Sequence, residues 1–174
     1  MVKVDYTKSR EFFKQNNSGK KDKNHPWIVC WNLNTPSNIG SIIRIADNMA
    51  CEKVLFVNEN PAFRDSKIQQ TAQNSFRDLN WEFCKQKEWL ALIPINYEII
   101  AIETSYNAEN LYHSKLPRNC VLVVGNEKKG IDQEVLKKCN RTIFIPMKGQ
   151  NKSMNVSHAL TIVLGDWIRQ NYYL

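Results

Sequence analysis

No apolar run in this chain approaches the roughly 20 residues that cross a bilayer. Its opening stretch, MVKVDYTKSREFFKQ, lacks the apolar centre of a secretory leader. Both absences predict a cytoplasmic protein with no membrane partner. Cysteine is present but unpatterned: Cys30, Cys51, Cys84, Cys120 and Cys139 are odd in number and form no CxxC pair, and His25, His113 and His158 do not cluster with them. A zinc site and a disulfide framework are therefore not expected, no metal is expected, and the thiols read as buried and reduced. The GxGxxG fingerprint and the GxxxxGK[ST] phosphate loop are also missing, which weighs against a dinucleotide or P-loop enzyme. Neither an internal repeat nor a low-complexity segment occurs. Acidic residues are in deficit, 17 against 24 Lys and Arg, for a formal net charge of +7. RNA would suit that balance, because each neutralised phosphate releases counterions, but many basic proteins have no polyanionic partner.

What remains is the composition of one well-cored domain: 174 residues, 43% of them hydrophobic. Residues 1–25 stand apart as a flexible basic N-terminal extension, with a short helix over 7–15 and the polar, lysine-rich NNSGKKDKNH after it. Residues 26–174 form the domain. WIVCW at 27–31 predicts a buried strand, NTPSNIG at 34–40 a turn, SIIRIADNM at 41–49 a helix and KVLFV at 53–57 the next strand. Strand, helix, strand is a βαβ unit with parallel pairing. Residues 58–76 read as loop plus a short helix, 81–84 as a strand, 85–93 as a helix ended by Pro94, and 97–103 as a strand. Residues 107–115 read as loop or short helix, 121–124 as a strand, 132–138 as a helix capped by Asp132, and 141–145 as the last strand. The final helix is expected over 153–170 with Leu160, Val163, Leu164, Trp167 and Ile168 inward. Gly165 in its interior costs about 1 kcal/mol relative to Ala, which points to a close-packed neighbour such as a second subunit.

Three loops at strand ends carry residue types that do chemistry, and each also admits a plain structural reading. Ser37 or Asn38 can cap the helix that follows, Gly40 would let a ligand approach the backbone, and Arg44 lies one turn further on. An ordinary capped helix with a surface arginine satisfies the same residues. The second loop, Gly125-Asn-Glu-Lys-Lys-Gly130, holds Glu127 either as a recognition carboxylate or as a solvated side chain. In the third, Pro146 ends a strand and Ser153 reads as a helix cap, while Asn155 and Ser157 have poor helix propensity at the positions they occupy. Parallel α/β proteins place ligands at such carboxyl-end loops.

Taken together and in order, the three segments resemble the motifs of the SPOUT superfamily, in its SpoU (TrmH-like) branch of RNA ribose 2′-O-methyltransferases. The resemblance spans residues 27–170 and rests on Asn38-Ile-Gly40 with Arg44, on Val123-Val-Gly-Asn-Glu127 with Gly130, and on Ile145-Pro-Met147 with Ser153-Met-Asn-Val-Ser157. It implies a single-domain α/β fold with a parallel sheet, a deep trefoil knot in its C-terminal part, and a homodimer with the active site near the subunit interface. It also implies S-adenosylmethionine as methyl donor, held by Ile102, Glu103, Gly125, Ile145, Met147, Ser153 and Met154. Arg44 would be the catalytic arginine, with Asn38, Glu127, Ser153 and Asn155 positioning it, the cofactor or the ribose; His158 has no role in that pattern. The implied reaction is in-line methyl transfer to a ribose 2′-hydroxyl of RNA, with tRNA favoured over rRNA. The alternative is a catalytically inactive, dimeric RNA-binding homologue.

Overall fold

The computed structural model describes residues 11–13, 25–61 and 63–174. Of the extension expected over 1–25, residues 11–13 are helical; of the linker expected over 16–25, His25 is described and its ring lies 6.0 Å from that of Trp167, so it is packed, and the remainder lies outside the described residues.

The β-branched runs alternate with a period of two, and both of their faces are buried. Ile28 and Cys30 of β1 (Trp27–Trp31) point to one side with Val54 and Phe56 of β2 (Lys53–Val57). Leu122 and Val124 of β6 (Cys120–Val124) join them there. Trp27, Val29, Trp31, Leu55, Val57, Val121 and Val123 point to the other side. A strand buried on both faces belongs in the middle of a parallel sheet. β3 (Trp81–Cys84), β4 (Glu98–Ile102), β5 (Glu109–Asn110) and β7 (Arg141–Phe144) complete a seven-stranded sheet in the order β3-β2-β1-β6-β4-β7-β5. Every neighbouring pair is parallel.

Helices cover both faces. The first core contains Ile39, Ile42, Ile43 and Ala46 of α1 (Pro36–Asn48), Ile68 and Ala72 of α2 (Asp65–Ala72), and Leu160, Val163, Leu164 and Trp167 of α6 (Val156–Tyr172). Phe76 of the short α3 (Ser75–Asp78) packs against it. Trp89 of α4 (Trp89–Leu92) and Val135 of α5 (Gln133–Leu136) serve the second core. α6 is fastened to residues 114–117: Trp167 Nε1 donates to Pro117 O at 2.8 Å, and Gln170 both donates to Ser114 O and accepts from Leu116 N. The cysteines are free and all but Cys139 are buried, and burial raises the Cys84 thiol to about 11 and the Cys120 thiol to about 12.

Several boundaries differ from the sequence expectations. The turn expected at 34–40 is largely helix: Thr35 is extended, Pro36 opens α1, and Gly40 lies inside it. Proline is at home in a first turn because that N–H has no intrahelical partner anyway. Ser153 does not cap α6. That position belongs to Asn155, whose Oδ1 accepts from Ser157 N at 2.9 Å, while Ser153 N and Oγ donate to Asn151 Oδ1. Asp132 stands at the N-cap of α5, yet its carboxylate accepts from Trp31 Nε1 at 2.7 Å and makes no capping bond. Residues 58–76 hold two helices instead of one, the helix expected over 85–93 shrinks to α4, and 107–115 contains the unexpected edge strand β5 before a 3₁₀ turn at Leu111–His113.

Candidate active site

A cavity of about 780 Å³ opens where β6, β4 and β7 end. Each of those strands runs straight into a loop that lines it: Gly125–Glu127 after β6, Glu103 and Thr104 after β4, and Ile145 and Met147 after β7. The entry to α1 and the entry to α6 close the remaining sides. Asn38, Ile102, Glu103, Gly125, Glu127, Ile145, Met147, Ser153, Met154 and Asn155 all line this one space. Arg44, the remaining expected residue, does not line it.

Glu127 joins the second loop to the first, and Asn38 joins the first to the third. The Glu127 carboxylate accepts from Asn34 N at 3.2 Å, Thr35 N at 3.1 Å and Asn38 Nδ2 at 2.9 Å. Burial acts to raise its pKa, but the Asn38 amide and the backbone donors outweigh that and hold it below the 4.5 of an unperturbed glutamate. The backbone N–H groups of Asn34 and Thr35, just before α1, are thus taken up by the protein's own carboxylate, at the end of the helix where negative charge is favourable. The network continues: Asn155 Nδ2 donates to Asn38 Oδ1 at 3.0 Å, and Ser157 donates to Asn155 Oδ1 from both N and Oγ. An ionised carboxylate only accepts, so it fixes the orientation of the Asn38 amide, which in turn fixes that of Asn155. Asn38 and Ser157 are buried, at 8% and 5% exposed, while Glu127 and Asn155 are exposed, so the network runs from the core out to the surface. Ser157 is the member of this network that sequence reasoning did not count as a site residue; its poor propensity in a helix's first turn was the available signal.

The second loop is held rigid by close backbone contact. Asn126 and Gly130 exchange N–H···O bonds of 3.0 and 2.9 Å, and Asn126 Oδ1 accepts from Lys128 N and Lys129 N. A Cβ on Gly125 would fall 2.3 Å from the Gly130 carbonyl carbon, and Gly130 takes φ 68°, so both positions require glycine. Glu103 braces the same loop: its Oε2 accepts from Ile131 N at 3.0 Å and its Oε1 from Thr104 N at 2.8 Å. On the third loop, Lys152 Nζ donates to Met147 O at 2.9 Å, tying its two ends together.

Gly40 serves packing and not a ligand: a Cβ there would lie 2.5 Å from Ile68 O of α2. Arg44 is exposed on α1, seven residues after Ser37, and at 100° per residue that spacing returns it to within about 20° of the Ser37 direction. His158 is exposed on α6 and does not line this cavity. Among the described residues no group of three His, Cys, Asp or Glu could hold a metal ion.

The cavity suits S-adenosylmethionine on its own chemistry. Its volume is in the range of small-molecule sites, and Ile102, Val124, Phe144, Ile145, Met147 and Val156 give apolar wall for an adenine. Gly125 and Asn126 bring polar backbone to the lining, and the Glu127 carboxylate, held below its ordinary pKa, adds negative charge to it.

The chain is similar to known proteins over most of its length. The chain is 28% identical over 144 residues to a 23S rRNA (guanosine-2′-O-)-methyltransferase of Neisseria meningitidis, covering 82% of this chain and 58% of that one. It is 29% identical over 138 residues to a tRNA (guanosine(18)-2′-O)-methyltransferase of Escherichia coli, covering 79% and 60%. It therefore spans less than two thirds of the length of those relatives. Among solved structures, an AdoMet-bound rRNA methyltransferase from Sinorhizobium meliloti superposes with a TM-score of 0.77 at 19% identity, covering 84% of this chain and 57% of that one. A structure described as concerning the 2-OH methylation of C/U34 on tRNA gives 0.75 at 21% identity, covering 84% of this chain and 96% of that one. The profile of the SpoU rRNA methylase family matches residues 26–165, and the chain belongs to that family.

Proposed function

We propose that this protein is an S-adenosylmethionine-dependent RNA ribose 2′-O-methyltransferase that acts on tRNA or rRNA in the cytoplasm as a homodimer. The observation that carries this reading is the cavity at the ends of β6, β4 and β7, where loops from all three motifs are joined through Glu127, Asn38 and Asn155. The names of the relatives supply the substrate class. tRNA is favoured because a fold neighbour associated with tRNA is covered over 96% of its length. No observation favours the inactive alternative.

Bound S-adenosylmethionine would supply an electrophilic methyl group on a sulfonium. Ile102, Glu103, Gly125, Ile145, Met147, Ser153 and Met154 are assigned to holding it. Displacement at that methyl is in line, so alignment of the attacking 2′-oxygen contributes most, and a rigid network serves alignment. Asn38, Glu127, Ser153 and Asn155 are assigned to that positioning. We assign the Arg44 guanidinium, a forked donor that matches phosphate oxygens, to the phosphate beside the target ribose and to the charge that develops on the attacking oxygen. Because Arg44 stands outside the cavity of its own chain, the reaction is assigned to a subunit boundary. Gly165 is exposed on α6 with nothing within 4 Å, which leaves room there for a second subunit's backbone. The trefoil knot belongs to the same proposal. Among the described residues no helix is long and apolar enough to cross a membrane.

The test is incubation of the purified protein with methyl-labelled S-adenosylmethionine and unmodified tRNA or rRNA, followed by mapping of the labelled ribose. Sedimentation of the same preparation reads the dimer. Arg44→Ala should lower kcat by about 10²–10³ with cofactor affinity unchanged. Near-normal turnover in that variant would remove Arg44 from the chemistry, and failure of the wild-type protein to bind S-adenosylmethionine would sink the activity itself.

A further inference from the structure

We propose that Tyr106 is a stacking platform for a nucleobase of the RNA next to the methylated ribose, an inference that rests on the RNA-methyltransferase reading. Tyr106 is 108% exposed, so its ring packs against none of the described residues. A single exposed aromatic is ordinary on a protein surface. This one differs in its position and in how firmly its backbone is held. It sits in the turn that Ala108 N closes onto Ser105 O at 3.1 Å. Before the turn, Glu103 N donates to Ile143 O at 3.0 Å, and the Glu103 carboxylate ties Thr104 to Ile131. After it, Glu109 and Asn110 pair with Ile143 and Phe144 of β7. The backbone on both sides is thereby ordered before any ligand arrives, so stacking on this ring would cost little additional entropy.

The position is the mouth of the cavity. Thr104 lines it, and two residues of chain place the Tyr106 backbone within about 7 Å of that lining. By contrast Ile95, 105% exposed, precedes β4 and so lies at the opposite edge of the sheet. Cations stand at the same edge as Tyr106: Lys128 and Lys129 project from the loop that Asn126 pins, and Lys148 and Lys152 are exposed on the loop after β7. An aromatic ring beside backbone-neutralising lysines is the combination by which proteins hold single-stranded nucleic acid, where each stacked base contributes roughly 1–3 kcal/mol. A ribose 2′-oxygen approaching the cavity brings its own base or a neighbour within reach of such a ring, and splayed bases are what proteins stack in RNA.

The experiment compares a labelled short oligouridylate with an abasic ribose-phosphate strand of the same length, by fluorescence anisotropy on the full chain. Wild-type protein should bind the base-bearing strand more tightly. Tyr106→Ala should weaken that binding roughly tenfold while leaving the abasic strand unchanged, and Tyr106→Phe should retain it. Unchanged oligouridylate binding in Tyr106→Ala, equal loss for both strands, or a changed sedimentation coefficient would each overturn the proposal, the last by assigning the ring to a subunit contact. Methyl transfer to tRNA or rRNA is scored separately. Transfer without base dependence sinks the platform alone, and base-dependent binding without transfer sinks the activity reading alone.

Discussion

At the scale of single residues, Glu127 is the most informative side chain in the protein. It carries a charge, holds the two residues that lead into α1 and orients two asparagine amides. Its lowered pKa fixes a sign. A carboxyl whose folded pKa is depressed adds stability above its unfolded value, and that stability disappears as the pH falls through the folded value. Glu127→Gln should therefore melt below wild type at neutral pH, with the gap closing as the pH falls beneath the ordinary glutamate range; thermal melts across the acid range check it. A gap that stays constant would mean that shape and not charge is what α1 needs. The sequence could name Asn38, Glu127 and Asn155 through the motif resemblance. It could not tell that they bond to one another, because the contacts join positions 89 and 117 residues apart and no local pattern encodes such pairs. It also misread Gly40, since a backbone crossing from α2 and a ligand ask for the same missing Cβ.

At the scale of elements, α1 offers two substitutions of opposite sign. Gly40→Ala gains helix propensity but forces a Cβ to 2.5 Å from Ile68 O, a backbone atom that cannot step aside without moving α2. The variant should lose about 1–3 kcal/mol, read from the urea midpoint. At the other end, Ala50 takes φ 55° just past the helix, with Cys51 N bonded back to Ala46 O at 2.8 Å. That is the position where glycine usually ends a helix. Ala50→Gly should gain about 1 kcal/mol in the same measurement, because an L residue is strained there. The central strands were legible since their apolar runs are long and β-branched. β5 was not, because a two-residue edge strand has no period to detect. The start of α1 was misplaced because Pro36 between Thr35 and Ser37 looks like a turn until its place in a first helical turn is considered.

At the scale of the whole molecule, composition pointed to one domain and left room for an anionic partner, but it did not give the order of the strands. Nothing local says that β6 inserts between β1 and β4, or that β7 comes to lie beyond β4; only burial of both faces at once selects that arrangement. The net charge of +7 gives a prediction at this scale. Affinity for RNA should fall linearly on a log–log plot against salt, with a slope set by the number of phosphates neutralised. Replacing both Lys128 and Lys129 with Ala should flatten that slope by about one unit for each lysine that touches a phosphate. Anisotropy titrations over a salt series provide the number, and an unaltered slope would remove this loop from the RNA path.

The bonds from Ser157 through Asn155 and Asn38 to Glu127 also bear on how such a protein can diverge. Asn38 and Asn155 each donate to one neighbour and accept from the other, while Glu127 only accepts and Ser157 only donates, so a change at one member is felt by the next. Turning Asn38 into an acid would set two carboxylates face to face, and turning Glu127 into an amide would free Asn38 to flip and abandon Asn155. Across descendants of this chain the members should be inherited together or replaced together, as one character written in three distant places.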